Sequence, residues 1–201
     1  MSLELRLRKP GEKLRLSLNK GATFKVELFW ESDHDPDAHA LLARNDGNGA
    51  RVSDFDQVLS TYNSKKTNPQ GVLVTNPDGS FSTPCGTLTH SGDALTGGKG
   101  VNEVITIQGA NAPEGVNEIP IIVTIHKAQE TGVTFSQIKN AGIRIKDDAG
   151  KVLGEYKLSN EFARFNAVQM GSVTLGPGGW EYQPVGSGFN GDFNTVLGTF
   201  S

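Results

Sequence analysis

The sequence predicts an all-β domain with a few short helical turns, and three observations carry that expectation. Apolar residues recur with a period of two in several stretches, as they do when alternate side chains of a strand share a face. Glycine is abundant at 25 of 201 residues, and with proline, asparagine and aspartate it marks many turns. Strands do not alternate with long amphipathic helices, which argues against an α/β fold.

The elements follow in order. Leu3, Leu5 and Leu7 alternate with Glu4, Arg6 and Arg8, and Leu14, Leu16 and Leu18 alternate with Lys13, Arg15 and Ser17. Between them, Lys9-Pro10-Gly11-Glu12 suits a type II turn, because proline presets one φ and glycine accepts the positive one. A third strand over 23–30 places Phe24, Val26, Leu28 and Trp30 on one face, opposite Lys25, Glu27 and Phe29. It enters the acidic loop Asp33-His34-Asp35-Pro36-Asp37-Ala38-His39-Ala40, after which Ala40-Leu41-Leu42-Ala43 reads as a buried strand. Asn45-Asp46-Gly47-Asn48-Gly49 is a turn, and a further strand is expected within 52–62. The polar, turn-rich stretch 65–84 is expected as an insertion in one domain spanning 1–201.

Thr87-Leu88-Thr89-His90 leads into a second oxygen-rich loop, His90-Ser91-Gly92-Asp93-Ala94-Leu95-Thr96-Gly97-Gly98-Lys99-Gly100-Val101-Asn102-Glu103. Residues 101–108 and 119–125 are expected as central strands. Thr134 is placed to cap one helical turn. Residues 141–146 and 152–158 pair across Asp147-Asp148-Ala149-Gly150, and 168–175 and 180–185 pair across Gly176-Pro177-Gly178-Gly179. A short helix is expected within 190–197. The reading gives about ten to twelve strands.

Composition excludes several functions. With 36% hydrophobic residues the chain can build a core, yet no apolar run approaches the roughly 18–20 residues that span a bilayer. No apolar signal core is visible near Met1. A single cysteine, Cys85, rules out an internal disulfide framework and a cysteine-rich zinc site. These features fit a reducing compartment, and the cytoplasm is expected. A net charge of −3 without a basic block argues against nucleic acid as partner.

The two oxygen-rich loops hold the candidate chemistry. Hard divalent cations such as Ca²⁺ take six to eight oxygen ligands. Asp35 and Asp37 sit two apart, so in an extended segment both reach one side. In the second loop Asp93 and Thr96 offer oxygens, the glycines let the backbone curl, and Asn102 and Glu103 close the loop. The Asp-x-Asp-x-Asp-Gly spacing of an EF-hand is absent. Aspartate, asparagine, glycine and threonine also simply build turns, and composition alone leaves both readings open.

Other residues point less far. His34, His39, His90 and His126 invite a zinc reading, but oxygen-rich surroundings suit a hard cation better. Gly97-Gly98-Lys99-Gly100 lacks the P-loop pattern. Trp30 and Trp180 are expected in the core, and Cys85 at a loop end.

An ordered series of motifs covers most of the chain. It runs Leu7-x-Lys9-x-Gly11 with Leu14 and Leu16; Trp30 then Asp35-x-Asp37-Ala38-x-Ala40-Leu41-Leu42; and Gly92-Asp93-x-Leu95-Thr96-Gly97-x-x-Gly100-x-x-Glu103. Phe135-Ser136-Gln137-Ile138-x-Asn140-Ala141-x-Ile143-Arg144 follows, then Leu158-Ser159, Gly171, Gly178-Gly179-Trp180 and Gly186-x-Gly188-Phe189. This series resembles the TerD family, the tellurium-resistance and stress-response domain. The resemblance implies a β-sandwich of two facing sheets with one or two Ca²⁺ ions held between the acidic loops. It implies no known enzymatic activity. Asp35, Asp37, Asp93 and Glu103 occupy matching acidic positions, and Thr96 matches a loop position. Ala94 stands where the family usually has asparagine, and Val101 and Asn102 where it usually has aspartates. Fewer ligand charges mean weaker Ca²⁺ binding.

The function expected is a non-enzymatic, Ca²⁺-binding stress-response scaffold that engages a protein partner. The alternatives are a structural or virion assembly protein with a degraded cation site, and a hydrolase using metal-bound water.

Overall fold

A computed structural model describes residues 13–158 and 160–201. The strand and turn expected over residues 3–12, and Ser159, lie outside the described residues. Among the described residues the chain forms two six-stranded antiparallel sheets and one two-stranded ribbon. The first sheet runs in the order β1 (Leu14–Ser17), β14 (Gly179–Phe189), β13 (Ala167–Gly176), β10 (Glu118–Ile125), β3 (Pro36–Leu41) and β6 (Val58–Leu59). The second runs β12 (Val152–Lys157), β11 (Gly142–Asp147), β2 (Thr23–Phe29), β9 (Glu103–Gln108), β8 (Leu88–His90) and β7 (Phe81–Ser82). The ribbon pairs β4 (Arg44–Asn45) with β5 (Ala50–Arg51). The two-sheet sandwich is the expected architecture.

Period two sets the main core between the sheets. Phe24, Val26, Leu28 and Trp30 are all buried there, as are Ile105 and Ile107 of β9 and Ile119, Ile121 and Val123 of β10. The opposite face of β2 carries Glu27, nearly buried, whose carboxylate pairs with Lys146 Nζ at 2.7 Å and Arg144 Nη1 at 3.8 Å. Strand β10 is apolar on both sides from Ile119 to Val123 because both of its faces are covered. Ile122 on its outer side joins Leu41, Val58, Ala167, Phe193, Val196 and Phe200 in a second, smaller core. Helix α2 (Phe193–Leu197) supplies the lid of that core, started by Asp192, whose carboxylate accepts from Thr195 N at 2.9 Å. The cap at Thr134 also forms: Gln137 Oε1 accepts from Thr134 N at 2.8 Å.

Several expectations are corrected. The strand count among the described residues is fourteen, because four of them span only two residues in the stretches 44–59 and 81–82. Leu18 was expected beside Leu14 and Leu16, but β1 stops at Ser17 after a register shift between Arg15 and Ser17, and Leu18 is 70% exposed. The acidic loop is shorter than its sequence suggests, since Pro36 and Asp37 already belong to β3. Proline is tolerated as the first residue of a strand, where its missing N–H breaks no ladder bond. Val101 falls before β9 and is exposed. A four-residue helix α1 (Ala128–Thr131) was not expected; Lys127 ahead of it has φ 50°, a left-handed value that no glycine announces. Within 65–84, Leu73 and Phe81 reach the main core.

Candidate metal centre

Three strand ends converge at one edge of the sandwich. Strand β2 delivers Trp30 and the chain into Asp35; β3 carries Asp37; β8 and β9 bracket the loop that holds Asp93. Carboxylate oxygens of Asp35, Asp37 and Asp93 all lie within 4.8 Å of one another. Of the five acidic residues in the two oxygen-rich loops, folding brings these three together.

Backbone contacts fix that convergence. Trp30 Nε1 donates to His34 O at 2.9 Å, and Gly97 N donates to Ser32 O at 3.0 Å. Gly97 lies so close to the Trp30 indole that a Cβ there would overlap it. His126 N donates to Asp35 O at 2.8 Å, tying the first loop to the end of β10.

Glu103 is fully buried and works as a clasp. Its Oε2 accepts from Ala38 N of β3 at 2.8 Å, and its Oε1 accepts from Ala94 N of the loop at 3.2 Å. His90 Nε2 lies 3.4 Å from Oε2, and His90 Nδ1 accepts from Gly92 N at 3.1 Å. One carboxylate thus joins the two sheets and the loop. Asn102 acts locally: its Oδ1 accepts from Gly98 N at 3.0 Å and its Nδ2 donates to Trp30 O at 2.9 Å. Thr96 is exposed in the same loop.

Asp37 is almost fully buried and is supported from the opposite side. Its Oδ1 accepts from Thr61 Oγ1 at 3.1 Å, and its Oδ2 accepts from the Tyr62 hydroxyl at 2.9 Å. The Tyr62 oxygen also lies 3.0 Å from His126 Nδ1. Thr61 and Tyr62 were not singled out in the sequence, and His126 was noted only for a zinc reading, not as a partner of Tyr62. They are neutral or common residues, distant in the chain from Asp37, and no local spacing signals them. His39, fully buried, pairs through Nε2 with Thr124 Oγ1 at 2.9 Å.

The electrostatics are those of an acidic cluster lacking its counter-charge. Burial, then the charges of Asp93 and Glu103, push the Asp35 carboxyl up to about 7. Burial, then Glu103, Asp35 and Asp93, push Asp37 well above the usual carboxylate range, with the Tyr62 hydrogen bond acting against them. Burial and Asp37 push the Tyr62 hydroxyl up, so it remains a donor. Among the described residues Asp35 Oδ1 is buried with no hydrogen-bond partner. An unpartnered buried carboxylate oxygen facing two further carboxylates fits a hard cation, whose oxygen ligands such groups are. Zinc favours nitrogen ligands, and among the described residues no histidine nitrogen joins the three carboxylates in the cluster; His39 Nε2 is bonded to Thr124 and His90 Nδ1 to Gly92. Asp33 is exposed and does not enter the cluster of three.

Comparison with known proteins agrees with the fold. The family model described as TerD domain matches residues 3–200. Tellurium resistance protein TerD of Serratia marcescens is 30% identical over 197 residues, 92% of each chain. General stress protein 16U of Bacillus subtilis (strain 168) is 32% identical over 108 residues, 53% of this chain and 56% of that protein, so the chain matches about half of its length. A crystal structure of a homologue of telluride resistance protein (TerD) from Streptomyces coelicolor A3(2) superposes with a TM-score of 0.65. It covers 88% of this chain and 95% of that one at 21% identity, a likeness of fold.

Proposed function

This chain belongs to the TerD domain family, and on that premise we propose that it is a Ca²⁺-binding, non-enzymatic stress-response module that presents cation-ordered loops to a protein partner. The observation that carries the reading is the buried, unpartnered Asp35 Oδ1 set among the Asp37 and Asp93 carboxylates. Three carboxylates so close repel one another, and a divalent ion would neutralise them. Asp35, Asp37 and Asp93 would hold the ion, with backbone carbonyls and water completing its shell. Glu103 would hold the two loops in register, while Asn102 and Gly97 brace the loop against Trp30. Ordering of residues 92–103 would then display Leu95, already 67% exposed, and Val101 to a partner.

The absence of an assigned activity rests on two supports. The relatives' names describe resistance and stress proteins rather than enzymes. The fully buried imidazoles His39 and His90 are packed into the sheets, and His126 Nδ1 is paired with the Tyr62 hydroxyl. Among the described residues no helix is long and apolar enough to cross a membrane. A cytoplasmic location is part of the proposal, supported by the single cysteine, which suits a reducing compartment.

Calorimetric titration of the metal-free protein with Ca²⁺ and Mg²⁺ tests the cation role. Saturable Ca²⁺ binding at one site, lost in Asp37→Asn, supports it. No heat and no change in melting temperature at millimolar Ca²⁺ overturns it. Metal-dependent turnover of an ester or phosphoester panel would overturn the non-enzymatic part.

A further inference from the structure

A second concave site lies on the outer face of the first sheet, behind Asp37. It is a cavity of about 630 Å³, within the range of small-molecule pockets. Four aromatic side chains line it: Phe55, Tyr62, His126 and Phe193. Three share an orientation. The Tyr62 and His126 rings lie 6° from parallel with centroids 5.8 Å apart, and Tyr62 and Phe193 lie 26° from parallel at 6.0 Å. The wall is thus built of near-parallel aromatic rings packed against one another.

This wall is pre-set. Buried His39 sits behind it, its ring 4.2 Å from Phe193 and 5.7 Å from Tyr62, and its Nε2 is anchored on Thr124. The Tyr62 hydroxyl is held by Asp37 Oδ2 and His126 Nδ1, which fixes two of the ring planes at once. Phe55 stands at the mouth with 59% of its surface exposed, which packing of the chain itself does not require. The rim adds the uncharged amides of Gln129 and Asn194. Its charges are mixed: Lys127, Glu130 and Asp192. No concentrated positive field is present to hold an anion.

We propose that this cavity is a ligand site for an uncharged, planar aromatic small molecule, packed against the rings of Tyr62, His126 and Phe193 and covered by Phe55. Four aromatic rings around one cavity favour an aromatic guest, held by offset-stacked or edge-to-face contacts, over a saturated one of equal volume. The amides on the rim serve a single polar substituent. The site does not depend on the cation, although Asp37 supports Tyr62 from the other side.

Indole serves as the planar probe and cyclohexanol as the non-planar control, titrated into the full chain in EDTA and followed by amide chemical shifts. The expected result is saturable indole binding, with shifts centred on Tyr62, His126, Ala128 and Phe193, and at least tenfold weaker cyclohexanol binding. Phe55→Ala and His126→Ala, checked for a retained melting temperature, should each weaken indole about three- to tenfold, the loss of one stacking partner. An unfolded variant is replaced by Phe55→Leu, which keeps the apolar volume and removes only the ring, and should weaken indole in the same direction. Shifts elsewhere, equal binding of cyclohexanol, or no saturation by indole overturns the proposal. Because EDTA is present throughout, none of these outcomes bears on Ca²⁺ binding.

Discussion

Replacing Asp35 by asparagine should change the sign of its effect on stability when Ca²⁺ is added. In the metal-free protein the Asp35 carboxyl is raised from its ordinary 3.8 to about 7. A raised carboxyl means that the folded state holds a proton that the unfolded state has already released. Its contribution is fully present below about pH 4 and is lost as pH rises towards 7, so at pH 8 the cost is fully expressed. The gap between the two values, at ~1.36 kcal/mol per pH unit, sets a ceiling of roughly 4 kcal/mol. The carboxyl is only partly shielded from water, and screening lowers this to about 1–2 kcal/mol. Asparagine keeps the shape without the charge. In EDTA at pH 8, Asp35→Asn should therefore raise the melting temperature by about 2–8 °C. In Ca²⁺ at about a hundred times Kd the wild type should gain ~2.7 kcal/mol, and the variant should lose most of that gain. Thermal unfolding followed by circular dichroism in both buffers reads both effects. In EDTA the wild type should also lose stability between about pH 4 and pH 7, and the variant should lose less. A lower melting temperature for Asp35→Asn in EDTA, or an undiminished Ca²⁺ response, refutes the reasoning.

Glu103→Ala should cost about 2–4 kcal/mol in urea denaturation without metal, because it leaves the buried Ala38 amide and the partly buried Ala94 amide unpaired, whereas Asp93→Ala at its exposed position should stay within about 0.5 kcal/mol. Equal costs would remove the distinction between clasp and ligand. Leu73→Ala should cost about 2–5 kcal/mol, and a value near zero would place the 65–84 stretch outside the core. Gly97→Ala should displace the loop from the Trp30 indole, cost about 1–3 kcal/mol and shift tryptophan fluorescence; an unchanged spectrum with unchanged stability contradicts the close approach.

Strand content was legible where one rule operated alone. The alternation Phe24, Val26, Leu28, Trp30 needed no tertiary information, and β2 ends one residue before the expected boundary. The hairpin of β13 and β14 was announced by Gly176-Pro177-Gly178-Gly179 and proved longer than expected, because its strand ends pair down to Ala167 and Phe189. Leu18 misled because a period-two pattern cannot show a bulge. Asp37 was read in a loop because acidic residues around proline suggest one, yet its backbone pairs with Thr124 of β10.

At the site the acidic residues were legible because they cluster locally and carry charge. Their separate tasks were not. Glu103 resembles a ligand in sequence, but its buried oxygens accept two backbone amides, a role set by the approach of β9 to β3. Asn102, in a position where the family usually has aspartate, spends its amide on Gly98 and Trp30. The support of Asp37 by Thr61 and Tyr62 arises only from tertiary packing and leaves no spacing to read.

The central claim is that one Ca²⁺ ion sits among Asp35, Asp37 and Asp93. A crystal structure grown in Ca²⁺, with anomalous difference density collected at long wavelength, tests it most directly. The account predicts one peak within 2.3–2.6 Å of an oxygen from each of the three carboxylates, the usual Ca²⁺–oxygen distance. A fully occupied ion elsewhere, with these three carboxylates unliganded, contradicts it.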